Sequence, residues 1–316
     1  MKALVTGAAG FIGSTLSRAL IAEGVEVVGV DAFTDYYNVG LKRLNVEGTK
    51  AGGRGFHLIE ADLADMDTDA LLADVDVVFH QAGQPGVRAS WGAEFEQYTR
   101  NNVTATQRLL ESAMRSTRLT RFVYASSSSV YGNSPTYPTS EQDVPAPMSP
   151  YGVTKLAAEH LCSLYARNFG VPTVSLRYFT VYGPRQRPDM AFTRFCTAAA
   201  SDQPITLYGD GEQIRDFTYV DDVVRANMLA AERGVPAGSV INVAGGTSVS
   251  VNEVLEIVSE LRGKPLNILR EDKVPGDVFR TGGSVDRANE LLGWKPDFTL
   301  EEGLRLQYEW ATKSAL

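Results

Sequence analysis

Two hydrophobic rhythms alternate along the first two-thirds of the chain. Short, almost wholly apolar runs occur at Ala3–Thr6, Val25–Val30, Phe56–Glu60, Asp76–His80, Arg121–Ala125 and Thr173–Arg177, with a later one at Val240–Ala244. Their β-branched, nearly continuous apolar character suits strands buried on both faces. Between them, apolar residues recur at helical spacing. Ile12, Leu16, Ala19 and Leu20 share one face of an expected helix over Ile12–Ala22, and Asn102–Met114 and Thr154–Phe169 repeat the pattern. Such alternation predicts an α/β protein: a parallel sheet with helices on both faces.

After Tyr178 the pattern breaks. Gly183, Pro184, Pro188, Pro204, Gly209 and Gly211 divide the chain into short segments. Thr180–Arg215 is expected to leave the sheet and build a cap, and Phe217–Ala244 to return to it. Further helices are expected at Val251–Leu261 and Leu300–Ala311, separated by a loop, Gly263–Gly283, rich in Gly, Pro and charge. The two lobes are therefore expected to interleave: residues 1–179 plus 217–247 as a doubly wound sheet domain, and 180–216 plus 248–316 as a smaller C-terminal lobe.

Composition narrows the function. The chain has 316 residues, 44% hydrophobic and 22% charged, too apolar for a disordered polar chain and long enough for a core with an appended lobe. A net charge of −8 argues against a nucleic-acid partner, which normally meets a basic surface. The two cysteines, Cys162 and Cys196, have no metal-ligand spacing. They exclude a disulfide scaffold, fit a reducing cytoplasm and read as small buried hydrophobes. No apolar run approaches a membrane span. The N-terminus, where Lys2 leads straight into a strand-like run, is unlike a signal peptide.

The first chemical signal follows the first strand. Gly7-Ala8-Ala9-Gly10-Phe11-Ile12-Gly13 is a G-x-x-G-x-x-G turn between strand and helix, a variant of the dinucleotide fingerprint. Its glycines permit a tight turn and close backbone approach to a pyrophosphate, and the helix N-terminus offers free N–H groups to that anion. Gly7, Ala9, Gly10, Phe11, Ile12 and Gly13 are thus candidate cofactor contacts. Asp31 ends the next strand, 18 residues past Gly13. Its carboxylate can accept both ribose hydroxyls of NAD and would repel a 2′-phosphate. Asp62, before Leu63, reads equally as an adenine contact or a helix cap. His80-Gln81-Ala82-Gly83 brings small residues to the end of the fourth run, with His80 itself reading as a packed neutral histidine.

The second signal is a constellation. Ser126-Ser127-Ser128-Ser129 lies where the Arg121–Ala125 run ends, and ligands of open parallel sheets bind at the carboxyl ends of strands. Tyr151 and Lys155 follow Ser127 by 24 and 28 residues, and their i,i+4 spacing puts both on one helix face. A nearby ammonium and a cationic nicotinamide ring would both favour phenolate, making Tyr151 a base at neutral pH. Ser127 could share the hydrogen bond of the substrate hydroxyl.

Together these motifs resemble the extended short-chain dehydrogenases/reductases of the NAD-dependent epimerase/dehydratase family, from Lys2 to about the final helix. A narrower resemblance rests on Asp35-Tyr36-Tyr37-Asn38, Leu41-Lys42-Arg43, Gln84-Pro85-Gly86-Val87-Arg88, Leu176 to Pro184, and Arg187-Pro188-Asp189-Met190-Ala191. These segments are similar to members that invert carbon 4 of UDP-glucuronate. The resemblance implies a Rossmann-type fold, NAD as cofactor, and Ser127, Tyr151 and Lys155 as the catalytic set. It also implies NAD contacts from Gly7, Gly10, Phe11, Ile12, Asp31, Asp62, Leu63, Gln81, Ala82, Gln84, Asn101 and Tyr178. For the UDP-sugar it implies Gln84, Arg88, Ser127, Ser128, Ser129, Thr180, Arg187, Ala191 and Phe192, with Arg215 at the diphosphate and Asp277 at the uridine ribose. A cytoplasmic homodimer is a further implication. Two departures stand out: Val274 replaces an Arg common in relatives, and Arg185-Gln186 replaces the commoner Trp-Gly.

The serine run selects among reactions. Relatives that eliminate water carry an Asp-Glu pair there, and decarboxylases a Glu. Ser128 and Ser129 cannot act as such acids or bases. The expected reaction is oxidation at carbon 4, rotation of the 4-keto sugar and reduction from the opposite face, UDP-glucuronate giving UDP-galacturonate. A 4-keto uronate is a β-keto acid prone to lose carbon dioxide. Ser128, Ser129 and the planar fork of Arg187 are expected to hold its carboxylate out of alignment with the carbonyl. A UDP-glucose/UDP-galactose 4-epimerase, a decarboxylase or dehydratase relative, a redox-sensing regulator that binds NAD without chemistry, and a structural subunit remain as alternatives.

Overall fold

The computed structural model describes residues 1–272 and 280–314. Its seven apolar runs form one wholly parallel sheet. Across the sheet the order is Ser239–Val243, Thr173–Tyr178, Arg121–Ser127, Val77–His80, Lys2–Thr6, Glu26–Asp31 and Phe56–Glu60. The chain starts near the middle, winds to the Phe56–Glu60 edge, then crosses back beside its first strand and winds the other way. Strand order therefore reverses between Lys2–Thr6 and Val77–His80, the place where open α/β sheets leave a crevice at the carboxyl ends.

Alternate residues of each central strand enter different cores. Ala3, Val5, Val77, Phe79 and Val123 join one cluster, and Leu4, Val78, Phe122 and Tyr124 the other. That two-residue period, apolar on both sides, is why the strands read as continuous apolar runs. The first cluster extends into the C-terminal lobe through Phe192, Phe195, Val254 and Leu304, so lobe and sheet share a core.

Helices Phe11–Ala22 and Val220–Glu232 pack together, as do Ala105–Arg115 and Pro150–Phe169. The expected Asn102–Met114 helix is preceded by Phe95–Tyr98 and a π-helical turn, Thr99–Thr104. The turn contains the buried Asn102, whose side chain takes the Gln84 N–H and donates to the Gln84 carbonyl and to Thr154 Oγ1. In the lobe, helices Ala191–Ala200, Val251–Arg262 and Leu300–Ser314 pack on one another. The Gly263–Gly283 stretch, expected as loop, contains a strand, Ile268–Glu271, paired in parallel with Ile205–Tyr208. It is mostly exposed, so no apolar run marked it. Both cysteines are buried and unpaired. Among the described residues no helix is long and apolar enough to cross a membrane.

A buried ion pair fixes the Pro150–Phe169 helix to the sheet. Glu159 accepts from Arg177 Nε (2.9 Å) and Nη2 (2.6 Å) and from Ser126 Oγ (2.6 Å), and both charged side chains are under 5% exposed. Removing one partner strands the other charge in the interior. Glu159→Ala should therefore cost about 3–5 kcal/mol of stability by denaturant titration; a loss below about 1 kcal/mol would contradict this.

Candidate active site

A cleft lies at the strand-order reversal. Gly7, Gly10, Phe11, Ile12 and Gly13 line it from the glycine turn, Asp31, Asp62 and Leu63 from strand ends on one side, and Gln81, Ala82, Gln84 and Asn101 on the other. Gly7 has φ +67°, and a Cβ on Gly13 would lie 2.1 Å from the Gly7 carbonyl oxygen, so the turn closes only with glycine at both positions. The Phe11–Ala22 helix has no side-chain cap at Gly10, leaving its first N–H groups free for an anion. Ala9 does not line the cleft; its N–H donates to Asp31 Oδ2 at 3.1 Å and fixes that carboxylate. Asp31 Oδ1 accepts from the Phe33 N–H at 2.8 Å. Lys42 approaches the same oxygen at 3.5 Å and lines the cleft, as do Tyr36 and Tyr37. The glycine cradle, open helix end and terminal carboxylate fit a dinucleotide.

Asp62 accepts from the Ala64 N–H and pairs with Arg100, so it stabilises its own turn as well as facing the cleft. Tyr178 lies behind the wall, its hydroxyl directed to Gln81 Oε1 (3.1 Å) and Asn227 Oδ1 (2.9 Å). Asp277 lies outside the described residues, as do Lys273 and Val274.

His80 is fully buried between Thr6 Oγ1 (2.7 Å, at Nδ1) and Thr106 Oγ1 (2.9 Å, at Nε2). Thr106 donates to the Asn102 carbonyl, so it can only accept from the ring, which places the proton on Nε2. Thr6 then donates to Nδ1 and accepts from the Ala82 N–H, tying the cleft wall to this relay. Burial lowers the imidazole to about 3. Unfolded His80 takes a proton below about pH 6.5, whereas the folded ring resists it. Stability should therefore fall by about 1.4 kcal/mol per pH unit from this group as pH drops from 6.5 toward 3. A pH series of denaturation curves for the protein and His80→Gln should differ in slope by that amount between pH 6 and 4; parallel curves would contradict it.

The catalytic candidates converge beside the cleft without lining it. The Arg121–Ser127 strand is two residues longer than its apolar run, which takes Ser126 and Ser127 into the sheet opposite Arg177 and Tyr178. Ser127 Oγ then accepts from the Ser129 N–H at 3.1 Å and shapes the serine turn. The long helix starts four residues before its apolar pattern. Ser149 caps it by accepting from the Gly152 N–H (3.1 Å), and Pro150 occupies the first turn. Tyr151 thus sits at the positive end of a helix dipole. A Cβ on Gly152 would lie 2.6 Å from the Ser129 carbonyl oxygen. Glycine there lets serine turn and helix touch, a signal present in the sequence but not used.

Burial raises the Tyr151 phenol, while the Ser127 hydroxyl and the Arg187 cation favour its ionised form. The Lys155 ammonium donates to the Ala125 carbonyl at 2.9 Å, and burial lowers it to about 8. Its Nζ lies behind Gly83, whose Cβ position is 3.2 Å away.

A second cavity opens toward the lobe. Arg88, Ser128, Ser129, Thr180, Ala191, Phe192 and Arg215 line it; Ser127 does not, and Gln84 lines the first cleft instead. Tyr36 and Arg187 line both, marking their junction. Residues not anticipated there include Asp189, Arg194, Tyr208, Gln213 and Thr281. Arg88 and Arg194 stand 5.5 and 5.9 Å from the Tyr208 ring centre. No sequence signal joined these residues, because they come from separate segments of the chain.

Known proteins share this organisation. The model of the NAD dependent epimerase/dehydratase family matches residues 3–244. An uncharacterized UDP-glucose epimerase of Bacillus subtilis, YtcB, is 43% identical over 96% of both chains. A UDP-glucuronate 4-epimerase of Thermodesulfobacterium geofontis is 36% identical over 98% of this chain and 96% of its own. The crystal structure of UDP-glucuronic acid 4-epimerase from Bacillus cereus, in complex with UDP-glucuronic acid and NAD, superposes with a TM-score of 0.95. It is 43% identical, over 99% of this chain and 100% of that one.

Proposed function

The chain belongs to the NAD dependent epimerase/dehydratase family, and from that membership we propose that it inverts carbon 4 of a UDP-sugar, UDP-glucuronate to UDP-galacturonate. The observation that carries the uronate assignment is Arg187. It lines both cavities at their junction and lies near enough to Tyr151 to favour the phenolate. A guanidinium there suits a sugar carboxylate presented beside carbon 4. The hydroxyls of Ser128, Ser129 and Thr180 share that cavity. The UDP-glucuronate 4-epimerase homologue and the complex with UDP-glucuronic acid and NAD support the same reading over a UDP-glucose/UDP-galactose enzyme.

NAD supplies the hydride acceptor and donor when bound. Asp31 would hold its adenosine ribose, the Phe11–Ala22 N-terminus its pyrophosphate, and Gln81 and Ala82 the wall near the nicotinamide end, with Lys155 behind Gly83. Tyr151 takes the proton of the 4-hydroxyl, with Ser127 completing the hydrogen bond, and later returns it. Ser128, Ser129 and Arg187 keep the carboxylate bond of the 4-keto sugar away from the carbonyl π system, which suppresses decarboxylation. The lobe holds the nucleotide while the sugar turns over, with Arg215 at the diphosphate; the family resemblance assigns the uridine ribose to Asp277. In this reading residues 1–179 plus 217–247 serve the cofactor and 180–216 plus 248–316 the nucleotide sugar.

The reading extends to a homodimer, supported by exposed Val153, Leu164 and Phe169 on the Pro150–Phe169 helix. A cytoplasmic setting is supported by two buried unpaired cysteines. One incubation tests the central claim: purified protein with UDP-glucuronate and no added NAD. Proton NMR should show UDP-galacturonate, and denaturation should release NAD. No product together with no released nucleotide would overturn it.

A further inference from the structure

Arg187 already has a carboxylate partner. Its Nε donates to Asp189 Oδ1 at 3.0 Å and its Nη2 to Asp189 Oδ2 at 2.9 Å, a two-pronged pair within one proline-bearing turn. The guanidinium side chain is only 20% exposed, faces the Tyr36 ring at 5.8 Å, and makes no hydrogen bond through Nη1 among the described residues. Asp189 is itself exposed to the sugar cavity. The pair thus uses one edge of the guanidinium and leaves the other for a ligand.

We propose that Asp189 is a specificity-determining residue, a resident carboxylate that neutralises Arg187 when the bound sugar carries no carboxylate and shares it when the sugar is a uronate. The inference rests on the uronate reading of Arg187 given above.

Two physical effects push in one direction. A desolvated cation without a counter-charge is costly, so a neutral UDP-hexose closing over Arg187 binds better with Asp189 present. With a uronate, two carboxylates meet at one guanidinium, and their mutual repulsion weakens the substrate's hold. Asp189 therefore narrows the gap between uronate and neutral hexose, and removing its charge should widen that gap. A residue that only oriented Arg187 would act with the opposite sign, because its loss would harm uronate binding first.

The test uses NAD-loaded protein carrying Tyr151→Phe, so that bound sugars are turned over only slowly. Calorimetry gives dissociation constants for UDP-glucuronate and UDP-glucose in this parent, in Asp189→Asn and in Asp189→Glu. In Asp189→Asn the affinity ratio favouring UDP-glucuronate should rise at least tenfold, and in Asp189→Glu it should return toward the parent value. An unchanged or lowered ratio in Asp189→Asn overturns the proposal. A parent that binds UDP-glucose but not UDP-glucuronate overturns the uronate reading itself, a separate result read from the parent alone.

Discussion

Tyr151→Phe should lower the turnover of UDP-glucuronate about 10³-fold while leaving NAD bound. The substitution removes one oxygen. In the proposed reaction that oxygen accepts the proton of the oxidation step, and a positioned acid–base group contributes about 10²- to 10⁴-fold. The environment is built for it: Tyr151 stands in the capped first turn of a 20-residue helix, with Ser127 and Arg187 opposing the effect of burial. NAD should stay because the glycine turn, the open helix end and Asp31 do not touch the phenol. Initial rates by NMR, with NAD measured after denaturation, check both halves. Turnover within tenfold of the unsubstituted protein would remove Tyr151 from the proton-transfer role.

Arg187→Ala should change the product as well as the rate. A charged hydrogen-bonding group contributes about 1.5–3 kcal/mol, so kcat/KM for UDP-glucuronate should fall roughly 10- to 100-fold. Without the fork, the 4-keto uronate can align its carboxylate with the carbonyl and lose carbon dioxide, so a UDP-pentose should appear beside UDP-galacturonate. UDP-glucose, with no carboxylate to steer, should lose little. Chromatography of the nucleotide sugars separates the outcomes. Epimerisation at the original rate with no added UDP-pentose would sink the carboxylate-holding role.

These residues were not equally legible. The candidate cofactor cradle was, because it is contiguous: Gly7 to Gly13 lie between one strand and the uncapped start of the next helix. Tyr151 and Lys155 were legible as a pair because helical periodicity alone places them on one face. Their surroundings were not. Lys155 points to Ala125, 30 residues upstream, and Asp31 is held by Ala9 from 22 residues away. Such contacts depend on strand neighbours and registers that no local pattern encodes.

The lobe shows the limit most clearly. Its strand Ile268–Glu271 packs as an exposed ribbon, so the alternation that reveals a buried strand is missing. The motif Arg187-Pro188-Asp189 was visible, yet the pairing of its two charges, and the placement of Arg187 where both cavities meet, came only with the fold.

Short-range periodicity and turn chemistry were enough for the α/β class, the glycine turn and the candidate Ser–Tyr–Lys set, since they specify elements and the residues riding on them. The tertiary structure alone decided which segments share a wall. It brought Ser129 against Gly152, and it gave Arg187 a carboxylate of its own. Side chains from distant segments meet through packing of the whole core, whose pairings are set by long-range burial rather than by neighbours in the chain.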